Sequence, residues 1–147
     1  MTDAPGISAP EIISLLELAP HPEGGWFKET FRDEPGPDGR ALSTAIFFLL
    51  QAGEESAWHR IDAVEVWHFY DGAPLALKLA RQGEPAVTVM LGKDLDRGEK
   101  PQVVIPCGVW QSAVSTGDWT LAGCTVAPGF DFSGFEMAVP GWAPDET

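Results

Sequence analysis

The sequence predicts an all-β domain, a sandwich or barrel, entered through one helix. Three observations carry this. Eight or more short runs of apolar or alternating residues follow one another at close spacing, each bounded by turn residues. The 16 glycines and 13 prolines are spread along the chain rather than clustered, as short strands joined by turns require. The length of 147 residues suits a single domain, 1–147, with enough chain to enclose a core and a pocket.

Residues 1–7 read as a loose tail. Ser8 opens a helix, because Ser8 and Glu11 have capping-box spacing and Pro10 is tolerated in a first turn. Ile12, Ile13, Leu15, Leu16 and Ala19 form its apolar stripe, and Pro20 and Pro22 end it. His21-Pro22-Glu23-Gly24-Gly25 follows. Its glycines fit either a tight helix-to-strand turn or a pocket lip where the backbone approaches a ligand and Glu23 supplies a polar contact.

Trp26 to Arg32 reads as a strand, Asp33 to Arg40 as a turn-rich loop, and Ser43 to Leu50 as a strand buried on both faces. Ala57 to Ile61 and Val64 to Tyr70 are the next two strands. Pro74 to Ala80 alternates Leu75, Leu77 and Leu79 against Ala76, Lys78 and Ala80, and Val87 to Leu91 follows it. Gly92 to Pro101 is a charged loop. Val103 to Ile105 leads into a Pro106-x-Gly108 turn. Trp110 to Ser115 and Trp119 to Val126 are the last strands, with Ser115 to Asp118 as their turn. Phe130, Phe132 and Phe135 read as an aromatic buttress, and 139–147 as a second tail.

A net charge of −13 argues against nucleic acid and anionic membrane surfaces as partners. No apolar run reaches the length of a membrane span, and the first ten residues lack the basic start and apolar core of a signal peptide. Cys107 and Cys124 form no close-spaced pair, and a cytoplasmic protein with two reduced thiols is the simplest expectation.

The chemistry concentrates between Gly53 and Gly72. This stretch holds two of the three histidines, a glutamate between them, two tryptophans and the only tyrosine. Strand parity sets Ala57, His59 and Ile61 on one face, and Glu65, Trp67 and Phe69 on one face opposite Val64, Val66, His68 and Tyr70. If the two strands pair, His59 and Glu65 look into one space, which suits proton transfer, metal binding or recognition of a polar ligand. His68 and Tyr70 face away by the same parity. Arg32, Arg40 and Arg60 are candidate anchors for an anionic ligand.

The spacing of Gly53, His59, Glu65 and Gly72 resembles the first motif of the cupin superfamily, with Ile61 where a second histidine is usual. Pro106-x-Gly108 resembles the second motif, with Gln111 at its histidine position. HPEGGWFKETFR (His21 to Arg32), LSTAIFFLL (Leu42 to Leu50), WHRIDAVEVWHFYDG and GCTVAPGFDFSGFEM (Gly123 to Met137) look like the largely uncharacterised HPEGG-loop cupins, domain of unknown function 985. The resemblance implies a double-stranded β-helix, or jelly roll, with a homodimer as the common state. It also implies a small-molecule pocket around His59, Glu65 and Gln111, with Glu23, Gly24, Trp67, Phe69 and Trp110 as further ligand contacts.

Three functions are consistent with that pocket. In the first, His59 and Glu65 carry out metal-free acid–base catalysis, an isomerisation or epimerisation of a sugar-like ligand. In the second, His59, Glu65 and Gln111 form a reduced ligand set for Mn, Fe, Ni or Zn in an enzyme of dioxygenase or isomerase type. In the third, the pocket binds a ligand, stacked on Trp67, Phe69 or Trp110, without catalysis.

Overall fold

The computed structural model describes residues 6–144, so parts of both expected tails lie outside the described residues. One helix, α1 (Ala9–Leu16), precedes eleven strands. These are β1 (Ala19–Pro20), β2 (Trp26–Arg32), β3 (Thr44–Gln51), β4 (Glu55–Ile61), β5 (Val64–Gly72) and β6 (Leu75–Ala80), then β7 (Val87–Leu91), β8 (Gln102–Ile105), β9 (Trp110–Ser115), β10 (Trp119–Ala127) and β11 (Phe135–Met137). They form two antiparallel sheets, one ordered β1-β2-β3-β10-β5-β8 and the other β11-β4-β9-β6-β7. The all-β class with one leading helix is as the sequence predicts.

The core lies between the sheets. Phe48, Leu50, Trp67 and Ile105 from the first sheet meet Leu75, Leu77, Leu91 and Ala113 from the second. Each Leu or Ile removed from water here contributes roughly 1.5–3 kcal/mol. The alternation Leu75, Leu77 against Ala76, Lys78 turns one face of β6 inward, as period-two patterning requires.

Helix α1 starts as its sequence dictates. The Ser8 hydroxyl accepts from the Glu11 amide and the Glu11 carboxylate accepts from the Ser8 amide, completing the capping box. Its end differs from expectation. Glu17 takes the left-handed conformation (φ 57°) and caps the helix, while Ala19 and Pro20 are already strand β1. Ile12 packs on Leu49 at the outer face of the first sheet, but Leu15 is 70% exposed, because an eight-residue helix lying on a sheet buries only one narrow side.

Two further readings are corrected. Strands β4 and β5 do not pair. Asp62-Ala63 carries the chain from one sheet to the other, so the strands stand on opposite walls. The segment after Val139 is no free tail as far as it is described. Trp142 folds back onto the outer face of the second sheet and packs against Trp58 and Trp110, at ring-centroid distances of 5.8 and 4.7 Å.

The His21–Gly25 loop is pinned between the sheets. The His21 amide donates to the Gly25 carbonyl, the Gly24 amide to the His21 carbonyl, and the Ala57 amide of β4 to the Glu23 carbonyl, all at 2.8–2.9 Å. Gly24 has φ +108°, and a Cβ there would sit 2.1 Å from the Glu55 carbonyl oxygen. Gly24→Ala therefore meets both backbone strain and a collision with main chain, and we expect a loss of at least about 2–3 kcal/mol. Gly83 also has positive φ (+78°) but open space around it, and Gly83→Ala should cost only about 1 kcal/mol. Denaturant unfolding of the two variants checks this, and equal costs would show that the loop is not clamped.

Candidate functional site

A cavity of about 60 Å³ opens between the two sheets beside this loop. The loop supplies His21 and Glu23, β4 supplies His59 and Ile61, β5 supplies Glu65, and β10 supplies Cys124 and Val126. Phe130, Phe132 and Phe135 form an aromatic wall, with Glu29 and Arg32 at the rim. His59 and Ile61 face the same way along β4, and Glu65 faces inward from β5, as strand parity predicts, although the two strands do not pair.

The polar groups are tightly partnered. The His59 Nδ1–H donates to the Ala57 carbonyl at 2.7 Å, leaving Nε2 without a proton, 3.4 Å from a Glu23 carboxyl oxygen. The other Glu23 oxygen lies 3.4 Å from His21 Nδ1, which accepts from the Glu23 amide at 3.1 Å. The Ser56 hydroxyl donates to the Glu23 carboxyl. Across the cavity Glu65 accepts from Gln111 Nε2 at 2.8 Å, and Gln111 Oε1 accepts from the Trp67 indole at 2.9 Å. Phe135 stacks on the His59 ring, with centroids 5.4 Å apart.

Burial sets the charge of this cluster. Desolvation raises the Glu23 carboxyl from 4.5 to about 8, against the opposing hydrogen bond from Ser56. Desolvation, then the nearby His59, lowers His21 from 6.5 to about 4. His59 is also lowered, because desolvation outweighs the Ala57 carbonyl and the Glu65 charge. Glu65 is raised by desolvation first and by Glu23 second, and the Cys124 thiol is raised well above its ordinary value by burial. At neutral pH Glu23 thus keeps its proton and both imidazoles are uncharged. The two 3.4 Å approaches are contacts between neutral groups rather than ion pairs, because two separated charges here would lose more hydration than they regain. An uncharged base beside a protonated carboxyl is an arrangement suited to moving protons.

Several residues expected to touch a ligand stand elsewhere. Trp67 is 2% exposed and belongs to the hydrophobic core, with Phe69 packed against that core. Trp110 lies on the outer face, beneath Trp142 and the Arg60 guanidinium, 4.5 Å from its ring centroid. Gly24 shapes the loop without lining the cavity. Gln111 stands behind Glu65 with both ends of its amide engaged, so it positions that carboxyl and has no free oxygen for a metal. Ile61 presents an apolar wall. Among the described residues no group of three or more His, Cys, Asp or Glu side chains is arranged to hold a metal ion. Of the arginines only Arg32 reaches the rim, in a bidentate pair with Glu29 at 2.9 Å. Arg40 is paired with Asp62 and Arg60 with Glu136. His68 and Tyr70 face away, as parity requires: His68 meets Thr125, and Tyr70 lies over Gly123 on the outer surface.

His21, Phe27, Cys124 and the Phe130–Phe135 wall were not singled out by the sequence as pocket residues. Cys124 was within reach of parity, since it shares a face of β10 with Ala122 and Val126.

In comparison with known proteins, residues 10–138 match the family model described as Cupin superfamily (DUF985). No curated protein matches. A solved structure of a Shewanella oneidensis protein is similar at TM-score 0.87 and 38% identity, covering 90% of this chain and 85% of that one. A hypothetical protein from Leishmania major is similar at TM-score 0.83 and 28% identity, over 90% and 88% of the two chains. Oxalate decarboxylase of Bacillus subtilis shares the fold at TM-score 0.62 and 12% identity, over 81% of this chain and 29% of that one. Among the described residues no helix is long and apolar enough to cross a membrane.

The cluster makes stability depend on pH in a testable way. Between about pH 4 and 6.5 the unfolded chain takes up a proton that folded His21 refuses, so this group makes stability rise with pH. From pH 4.5 to about 8 the folded chain keeps a Glu23 proton that the unfolded chain releases, so this group makes stability fall as pH rises. Above pH 6.5 the fall from Glu23 is no longer offset by His21. Glu23→Gln should remove up to about 1.4 kcal/mol of that fall per pH unit. Thermal unfolding of wild type and variant from pH 6.5 to 8 checks it, and parallel profiles would refute a protonated Glu23.

Proposed function

This chain belongs to the DUF985 group of the cupin superfamily, and from that premise we propose that it binds a small molecule between its sheets and transfers a proton on it without a metal. We read the two sheets as halves of a jelly-roll barrel whose interior is the binding site. The observation that carries the reading is the meeting of an unprotonated His59 Nε2 with the buried Glu23 carboxyl in one cavity walled by aromatic rings.

In this reading His59 is the base. Its Nδ1–H bond to Ala57 fixes the ring, and its Nε2 takes a proton from carbon next to a ligand carbonyl. Glu23 is the acid beside it. Glu65 is the second carboxyl facing the ligand, oriented by Gln111, which Trp67 holds in one amide orientation. The reaction class is an isomerisation or epimerisation of a sugar-like carbonyl compound. Non-catalytic ligand binding is the second reading, favoured by how completely the interior groups already satisfy one another. The exposed Phe31, Tyr70 and Val104 share the outer face of the first sheet, which supports association with a second copy.

The test is hydrogen–deuterium exchange at carbon in heavy water, followed by proton NMR over a panel of small aldehydes, ketones and keto acids. Wild type should label at least one class at the position next to the carbonyl, and His59→Ala should lower that rate roughly 10²–10⁴-fold while keeping cooperative unfolding. Saturable binding without any exchange would select the binding-module reading. Equal rates in wild type and variant would remove His59 from the chemistry.

A further inference from the structure

The two imidazoles at the cavity are locked in opposite tautomers. We propose that this pairing selects a small hydroxy-carbonyl compound, with His21 donating to its carbonyl oxygen and His59 acting as base at the neighbouring carbon. The inference rests on the proton-transfer reading above and adds to it a catalytic residue, His21, and a substrate class.

The tautomers follow from partners that have no choice. A backbone N–H can only donate, so His21 Nδ1, which receives the Glu23 amide at 3.1 Å, is an acceptor, and the ring proton sits on Nε2. A carbonyl can only accept, so His59 Nδ1, 2.7 Å from the Ala57 oxygen, carries a proton, and because burial keeps the ring neutral the lone pair is on Nε2. Both rings line the same cavity, both lie 3.4 Å from the Glu23 carboxyl, and both pack on Phe135. Among the described residues nothing accepts a hydrogen bond from His21 Nε2, although every fully enclosed side-chain polar atom there has a partner. That N–H therefore retains access to the cavity and is free for an occupant.

A donor and an unprotonated base in one small space match a carbonyl oxygen beside an acidic C–H. The charge of the site argues against a carboxylate or phosphate as the inner group. His21 and His59 are neutral, and the guanidinium of Arg32 at the rim is already bidentate to Glu29. The cavity of about 60 Å³ has room for a few water-sized groups, which suits the reacting two- or three-carbon end of a ligand, with any remainder extending past Arg32 and Phe132.

In the step itself, the C–H bond next to the carbonyl breaks and its proton goes to His59 Nε2. The electron pair becomes the C=C bond of an enediolate, and the former carbonyl oxygen holds the negative charge against the His21 N–H. Return of that proton to the same carbon restores or inverts its configuration. Return to the former carbonyl carbon, with the hydroxyl proton passing to the former carbonyl oxygen by way of Glu23, gives the isomeric carbonyl compound. No oxidant or co-reactant is consumed.

Glycolaldehyde and hydroxyacetone are the probes, in heavy water, with wild type, His21→Ala and His21→Gln. Nitrogen NMR of the wild-type rings runs alongside and needs no variant to fold. We expect Nε2–H on His21 and Nδ1–H on His59. We also expect a fall of roughly 10²–10³-fold in kcat for His21→Ala with little change in KM, and at least a tenfold recovery in His21→Gln, whose amide nitrogen reaches the position of Nε2 and restores a donor. Reversed tautomers, or a wild-type rate retained by His21→Ala, would overturn the role of His21 while leaving the proton-transfer reading intact. Exchange of keto acids but not of these two probes would overturn the substrate class. No exchange of any carbonyl compound by wild type would overturn the underlying reading, and this inference with it.

Discussion

The cavity is governed by one carboxyl group enclosed without a cation. An ionised Glu23 in that position would cost several kcal/mol of lost hydration, so the group holds its proton and needs neutral partners instead. The Ser56 hydroxyl and the rings of His21 and His59 meet that need. Glu23 also ties two elements together. Its carbonyl accepts from Ala57 and its carboxyl from Ser56, and both belong to the strand that carries His59. The loop and His59 are thus held in register by Glu23.

The sheet topology sets the second dimension of the cavity. Consecutive strands β4 and β5 could have formed a hairpin, with His59 and Glu65 as neighbours on one surface. The crossing at Asp62-Ala63 instead puts them on facing walls, separated by the spacing of packed sheets, about 10 Å. That gap is the cavity between the sheets. It is closed at one side by aromatic rings from the segment after β10, and Arg40 helps hold that side through Asp62 and the Gly129 carbonyl.

Much of this was legible in the chain. The capping box, nine of the strands and the inward faces of His59 and Glu65 follow from local rules that hold whatever the strands pair with. What was illegible depended on depth and on long-range contact. Parity puts Trp67 on the same face as Glu65, but two residues of strand carry it about 7 Å further along, out of the cavity and into the packed core. Trp110 looked like a stacking platform, and only the return of Trp142 from the end of the chain shows it to be covered. The loop of His21 fits either a turn or a pocket lip by sequence, and the burial of His21 depends on Phe27 and Phe48 coming to its ring from two strands. Strand β11 is three residues long, too short for any periodicity to announce it.

That short strand has a kinetic consequence. Phe135, the ring on which His59 stacks, sits at the start of β11, which hangs on the margin of the second sheet by pairing with β4 alone. Marginal strands of this length fray at a small fraction of the free energy of global unfolding. Each fraying takes the Phe135 ring off His59, so this wall of the cavity opens more readily than the fold unfolds. The ion pair between Arg60 and Glu136, at 2.9 Å, adds a side-chain link across the same two strands.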